Sequence, residues 1–82
     1  MYCAYVLRSL RDGSFYYGST EDLAKRLIEH NAGKVRYTKG HTPYVLHYAE
    51  VFPTRKEAVA RERYWKTITG YRWLRKADIV AR

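Results

Sequence analysis

At 82 residues the chain has room for one small domain, residues 1–82, and for no second core. Sixteen Lys and Arg against 8 Asp and Glu leave a formal charge of +8, which favours a polyanionic partner, nucleic acid or an anionic membrane surface; a plainly solvated cationic surface is the bland alternative. The single cysteine, Cys3, excludes an internal disulfide and a cysteine-cluster metal site. With no secretory leader and no apolar run near about 18 residues, a transmembrane span is excluded and a cytoplasmic setting is expected.

The first apolar run, Tyr2-Cys3-Ala4-Tyr5-Val6-Leu7, is too short for a typical helix and reads as a strand over Tyr2–Arg8. Its unbroken apolarity predicts burial on both faces and a central place in a sheet. Asp12-Gly13 lies in the loop of Ser9–Ser14 and signals a hairpin, with the second strand over Phe15–Ser19. Gly18 marks a bend or a close approach by another backbone or a ligand. Ser19-Thr20 offers a helix N-cap, Glu21 and Asp22 then fall in the first turn, and the helix is expected to end near Asn31 with Gly33 as its stop. Leu23 and Leu27 form its core stripe, while Asp22, Arg26 and His30 share a second stripe that reads most simply as a solvated face with an Asp22–Arg26 ion pair.

Residues Gly33–Thr42 show neither period and are expected to form an exposed basic loop, in which Arg36, Tyr37 and Lys39 suit a phosphate backbone and a stacked base. A third strand is expected over Tyr44–Val51. Thr54-Arg55-Lys56-Glu57 matches a capping box, so a second helix should run from Arg55 to about Ile68. Ala58, Val59 and Trp65 share its core arc, and Glu62 projects from within that arc. A carboxylate there needs a partner: an ordinary ion pair with Arg26, Arg61 or Arg63, or a functional ligand. Gly70 is expected to end this helix. A third follows over Tyr71–Val80, with Trp73, Leu74, Ala77 and Val80 inward and Arg72, Arg75, Lys76 and Arg82 outward. The second and third helices together should cover the sheet and add a basic flank.

No nucleophile elbow and no phosphate-binding glycine loop is present, and His30, His41 and His47 lack the spacing of a zinc site. What remains is Tyr5, Tyr16 or Tyr17, Arg26, His30 and Glu62. This set suits phosphodiester hydrolysis. An arginine stabilises charge on phosphoryl oxygens, a lone carboxylate can hold Mg²⁺, and a tyrosine beside positive charge can have its pKa lowered enough to help deprotonate water.

These residues resemble the GIY-YIG nuclease family along nearly the whole chain. Cys3-Ala4-Tyr5 stands at the first motif and Tyr16-Tyr17-Gly18 at the second. Gly18 to Leu23, Arg26-Leu27, His30 to Lys34, and Glu57-Ala58 through Arg61-Glu62 follow the family pattern, and more narrowly the chain is similar to the small stand-alone bacterial members, an uncharacterised protein family. The resemblance implies an α+β fold, a three-stranded antiparallel sheet flanked by about three helices. It also implies a metal-dependent endonuclease or nicking activity on DNA, in repair or recombination. Tyr5 or Tyr16 would act as general base or orient water and scissile phosphate, Arg26 and His30 would contact the phosphate, and Glu62 would ligate a single Mg²⁺ or Mn²⁺. Two departures stand out. Cys3-Ala4 replaces Gly-Ile, and the asparagine that follows the glutamate in other members has no counterpart after Asn31. A non-catalytic nucleic-acid-binding module, or a nuclease subunit that needs a partner protein, is the alternative.

Overall fold

The computed structural model describes residues 1–80; Arg82, expected on the outer face of the third helix, lies outside them. Strands β1 (Tyr2–Ser9), β2 (Phe15–Thr20) and β3 (Tyr44–Phe52) form an antiparallel sheet in the order β2-β1-β3. The fold is the expected α+β arrangement, with three helices: α1 (Leu23–Asn31), α2 (Arg55–Trp65) and α3 (Ile68–Lys76). Cys3 through Leu7 are all buried, because β1 is paired on both edges and covered on both faces. Helix α1 lies on one side, where Leu23 and Leu27 pack on Cys3, Tyr5 and Leu7. On the other side Trp65 of α2 and Leu74 of α3 pack on Ala4 and Val6. The helices thus divide between the two faces; α2 and α3 alone do not cover the sheet. None of the described helices is long and apolar enough to cross a membrane.

Trp65 is wholly buried and its Nε1 finds no hydrogen-bond partner among the described residues. An unpaired donor costs about 1–3 kcal/mol, whereas removing a Trp-sized ring from water contributes roughly 4–6 kcal/mol, so burial wins.

Local capping moved three boundaries. The ladder keeps Ser19 and Thr20 in β2, opposite Ala4 and Cys3, so neither caps α1. Asp22 does, accepting from the Lys25 amide at 3.1 Å, and no acidic residue remains in the first turn. Gly33, at φ +76°, closes α1 as expected: its amide bonds His30 O at 3.1 Å and the Lys34 amide bonds Glu29 O at 3.0 Å. The capping box starts α2 at Arg55, Thr54 Oγ1 accepting from the Glu57 amide at 3.3 Å. The largest correction is at Gly70, which sits inside α3 and ends nothing. Thr67 is the break: its hydroxyl donates to Tyr64 O at 2.6 Å and accepts from the Gly70 amide at 3.0 Å. Helix α3 also stops at Lys76, before Val80, and Asp78 at φ 61° turns Val80 back into the core.

Gly70 is required by packing. A Cβ there would stand 1.7 Å from Tyr64 O and 2.9 Å from Trp65 Cα, so a side chain forces α2 and α3 apart. Gly70→Ala should therefore lower unfolding stability in urea by about 3 kcal/mol or more, beyond its better helix propensity. Thr69→Ala, one residue earlier and exposed, should stay within about 0.5 kcal/mol of the parent. Equal midpoints for the two variants would refute the packing role.

Candidate active site

Tyr5 lies directly opposite Gly18 in the β1–β2 ladder. A Cβ on Gly18 would stand 2.5 Å from both Cζ and the hydroxyl of Tyr5, so the ring occupies the space a β2 side chain would fill. What approaches Gly18 is thus a tyrosine ring, neither the backbone nor the ligand expected there. The Tyr5 hydroxyl meets Nε2 of His30 at 3.0 Å, and both residues are buried. On the other side of the imidazole, Nδ1 lies 2.8 Å from Oγ1 of Thr38, also fully buried. Thr38 donates its hydroxyl proton to Val35 O at 3.3 Å, so its oxygen accepts from Nδ1–H. That assignment leaves Nε2 as acceptor for the Tyr5 O–H, and the chain of donors runs one way from Tyr5 to Val35.

Burial, with the positive charge of Arg26 adding to it, pushes His30 down to about 4, so the ring is neutral at pH 7. Burial also pushes the Tyr5 phenol up to about 12; the Arg26 guanidinium pulls it down and the charges of Tyr16 and Glu62 add to the rise. The tyrosine pKa lowering expected from neighbouring positive charge is therefore not realised at Tyr5, where desolvation is larger. His30 was expected on an open helix face, in contact with phosphate. It is instead enclosed and both nitrogens are engaged, one by the buried Tyr5 hydroxyl and the other by Thr38.

Around this buried pair stand half-exposed groups. Arg26 donates to Glu29 at 3.2 Å; the expected Asp22 pair is absent because Asp22 is the helix cap. Tyr16 packs edge-on to His30, ring centroids 4.9 Å apart, and lies 6.4 Å from the Tyr5 ring. Tyr17, on the opposite face of β2, packs on Trp65. In the basic loop Arg36, Tyr37 and Lys39 are exposed as expected, and Tyr37 lies 5.8 Å from Tyr16. The same loop is not wholly open, since it buries Thr38 and forms a short 3-10 turn over Lys39–His41.

Glu62 approaches from the other layer. Its carboxylate accepts from Ser19 Oγ at 2.7 Å and from Lys66 Nζ at 2.6 Å, with the side chain only 19% exposed. The expected arginine partners are engaged elsewhere or turned away: Arg26 with Glu29, and Arg61 in a two-pronged pair with Glu50 at 2.7 and 3.3 Å. The structure therefore brings Tyr5, Tyr16, Arg26 and His30 together on the α1 side. Glu62 lies across the edge strand β2 and is linked to them through Ser19, which holds its carboxylate and lines one cavity with Arg26; it makes no direct hydrogen bond to the four among the described residues. Two open cavities flank this edge, about 420 Å³ beside Tyr16, Tyr37 and Lys66 and about 460 Å³ beside Ser19, Arg26 and Arg55.

No group of three or more His, Cys, Asp or Glu side chains converges among the described residues. A lone carboxylate with a serine hydroxyl beside it fits Mg²⁺ or Mn²⁺, which keep most of their waters, and does not fit zinc. Sequence reasoning missed Thr38, Ser19 and Lys66. Lys66 could have been found from its i+4 spacing to Glu62; Thr38 carries no local signal, because only the folded loop brings it to His30.

Residues 1–73 match the family described as the GIY-YIG catalytic domain. The chain is 50% identical over 66 residues to a UPF0213 protein of Bacillus licheniformis, covering 79% of this chain and 67% of that one. It is 43% identical over 63 residues to a UPF0213 protein of Halobacterium salinarum, covering 76% and 80%. Its fold is similar to the solution NMR structure of a UPF0213 protein from Bacillus halodurans, with a TM-score of 0.55 and 31% identity over 96% of this chain and 85% of that one.

Neutral, buried His30 makes stability depend on pH. Above the unfolded value of about 6.5 neither state binds the proton; as pH falls toward 4 the unfolded chain takes it up and the folded chain does not. Stability should therefore fall from pH 6.5 to 4, by on the order of 2–3 kcal/mol from this residue. Thermal melts across that range should show a steeper loss for the parent than for His30→Gln, and parallel curves would rule the burial effect out.

Proposed function

The chain belongs to the GIY-YIG catalytic-domain family, and on that premise we propose that it is a divalent-metal-dependent endonuclease that hydrolyses phosphodiester bonds in DNA, in repair or recombination. The observation that carries the reading is the gathering at one strand edge of a hydrogen-bonded Tyr5–His30 pair, the Arg26 guanidinium and the Glu62 carboxylate. Arg26, half-exposed beside a cavity, would hold the phosphoryl oxygens as charge develops on them. Tyr5 and Tyr16 would orient the attacking water and the scissile phosphate. Because the Tyr5 phenol is un-ionised at neutral pH, any proton it accepts from that water obliges it to pass its own to Nε2 of His30. His30 is on this reading a positioning residue that acts through Tyr5.

Glu62 would hold a single Mg²⁺ or Mn²⁺, with the Ser19 hydroxyl beside it. When bound, the ion would supply charge neutralisation at the phosphoryl group. Lys66 Nζ now stands against the same carboxylate and would have to yield. That ion pair favours a second reading, a nucleic-acid-binding module in which Lys66 permanently occupies the cation position. Such a module binds with a steep salt dependence and does not cut.

Purified protein should nick or cleave flap, nicked or plasmid DNA with Mg²⁺ or Mn²⁺. Glu62→Ala and Arg26→Ala should each slow cleavage by roughly 10²–10³-fold while DNA binding persists. Absence of cutting on every substrate, or full activity in both variants, overturns the proposal.

A further inference from the structure

Beside the catalytic cluster, and sharing Tyr16 and Lys66 with it, the surface carries a trough that runs on to residues the chemistry above does not use. The cavity of about 420 Å³ beside Tyr37 and a second of about 570 Å³ over α3 are both lined by Tyr17 and Lys66, so they adjoin there as the two lobes of the trough. Its floor is aromatic. Tyr37 is 77% exposed, Tyr17 is half-buried on Trp65, and Tyr71 is 37% exposed with the Arg75 guanidinium over its ring at 5.8 Å. The charged groups that line it are of one sign, Lys66, Arg72 and Arg75 with no carboxylate among them, although Lys66 is paired with Glu62. The polar cavity on the other side of Ser19 is balanced, with Lys25, Arg26 and Arg55 against Glu21, Asp22 and Glu29. A polyanion is therefore drawn to the trough more than to its neighbour.

We propose that this trough receives an unpaired stretch of the DNA substrate, its bases stacked on Tyr37, Tyr17 and Tyr71 and its phosphates met by Lys66, Arg72 and Arg75. The occupant rests on the nuclease reading above; the strand state rests on the trough. In a duplex the base faces are stacked on each other, and only unpaired bases offer those faces to a protein side chain. A row of tyrosines, two exposed and one half-buried, set among cations serves that ligand, whereas cations alone would serve a duplex backbone. The trough passes Tyr16, whose ring lies 6.4 Å from that of Tyr5, so a strand lying in it leads to the catalytic cluster.

The test is fluorescence anisotropy of the intact protein with a short labelled single-stranded oligonucleotide and the matching duplex, in chelator, where no cleavage occurs. The parent should bind the single strand more tightly. Tyr71→Ala should weaken that binding about tenfold and leave the duplex within about twofold, while Tyr71→Phe, which keeps the stacking face, should bind like the parent. Arg72→Glu, on an exposed position that tolerates charge, should weaken single-strand binding at least as much. A duplex preference, equal losses on both ligands, or no binding by the parent, which would assign the trough to another occupant, overturns the proposal. Because cleavage is not measured here, a parent that binds single strands but never cuts refutes the nuclease reading and leaves the trough intact.

Discussion

The packing of Tyr5 across Gly18 is the contact on which the rest of the site depends. A ring that lies where a β2 side chain would stand carries its hydroxyl past the strand and onto His30. The hydroxyl, the imidazole and Thr38 are then buried together, and each satisfies the next. Leaving any one of these buried polar groups unpaired costs on the order of 1–3 kcal/mol, a sizeable part of the roughly 5–15 kcal/mol that holds a small domain together. The arrangement therefore has little freedom. It fixes α1 through His30, the basic loop through Thr38 and the tautomer of the imidazole in one network, and it determines that Tyr5 is a phenol at neutral pH.

The edge strand β2 extends this arrangement to the second layer. Alternate residues of one strand face opposite sides of a sheet, so Tyr16 and Gly18 belong to the α1 side while Tyr17 and Ser19 face α2. In a central strand these faces would never meet. At an edge they do, and Ser19 holds Glu62 of α2 at the rim past which Arg26 of α1 projects. The tyrosine trough follows from the same geometry, since Tyr16 and Tyr17 line one depression from opposite faces of one strand. Lys66 sits where the layers join, tied to Glu62 and lining the trough at once.

The three strands, the centrality of β1 and the start of α2 were legible because their signals are local. A doubly buried strand shows unbroken apolarity, and a Thr-x-x-Glu box acts within one turn. Boundaries failed where a local signal met a competitor. Thr20 could have capped α1 but was taken by the ladder with Cys3. Gly70 reads as a helix stop and is instead the only side chain small enough to let two helices touch. Asp22 and Arg26, spaced for an ion pair, found a backbone amide and Glu29.

The sequence by itself determined which side chains exist to do chemistry and, through the two motifs and the Arg26–His30 spacing, the family and fold. Tertiary structure alone decided their states: that His30 is enclosed and neutral, that Tyr5 is raised, and that Glu62 answers to Lys66 and Ser19. The reason is physical. Spacing along a helix or strand places a residue on a face, but a pKa and a hydrogen-bond partner are set by burial and by neighbours far away in the chain. Thr38 and Ser19 become partners of His30 and Glu62 only after the loop and the edge strand have folded against them.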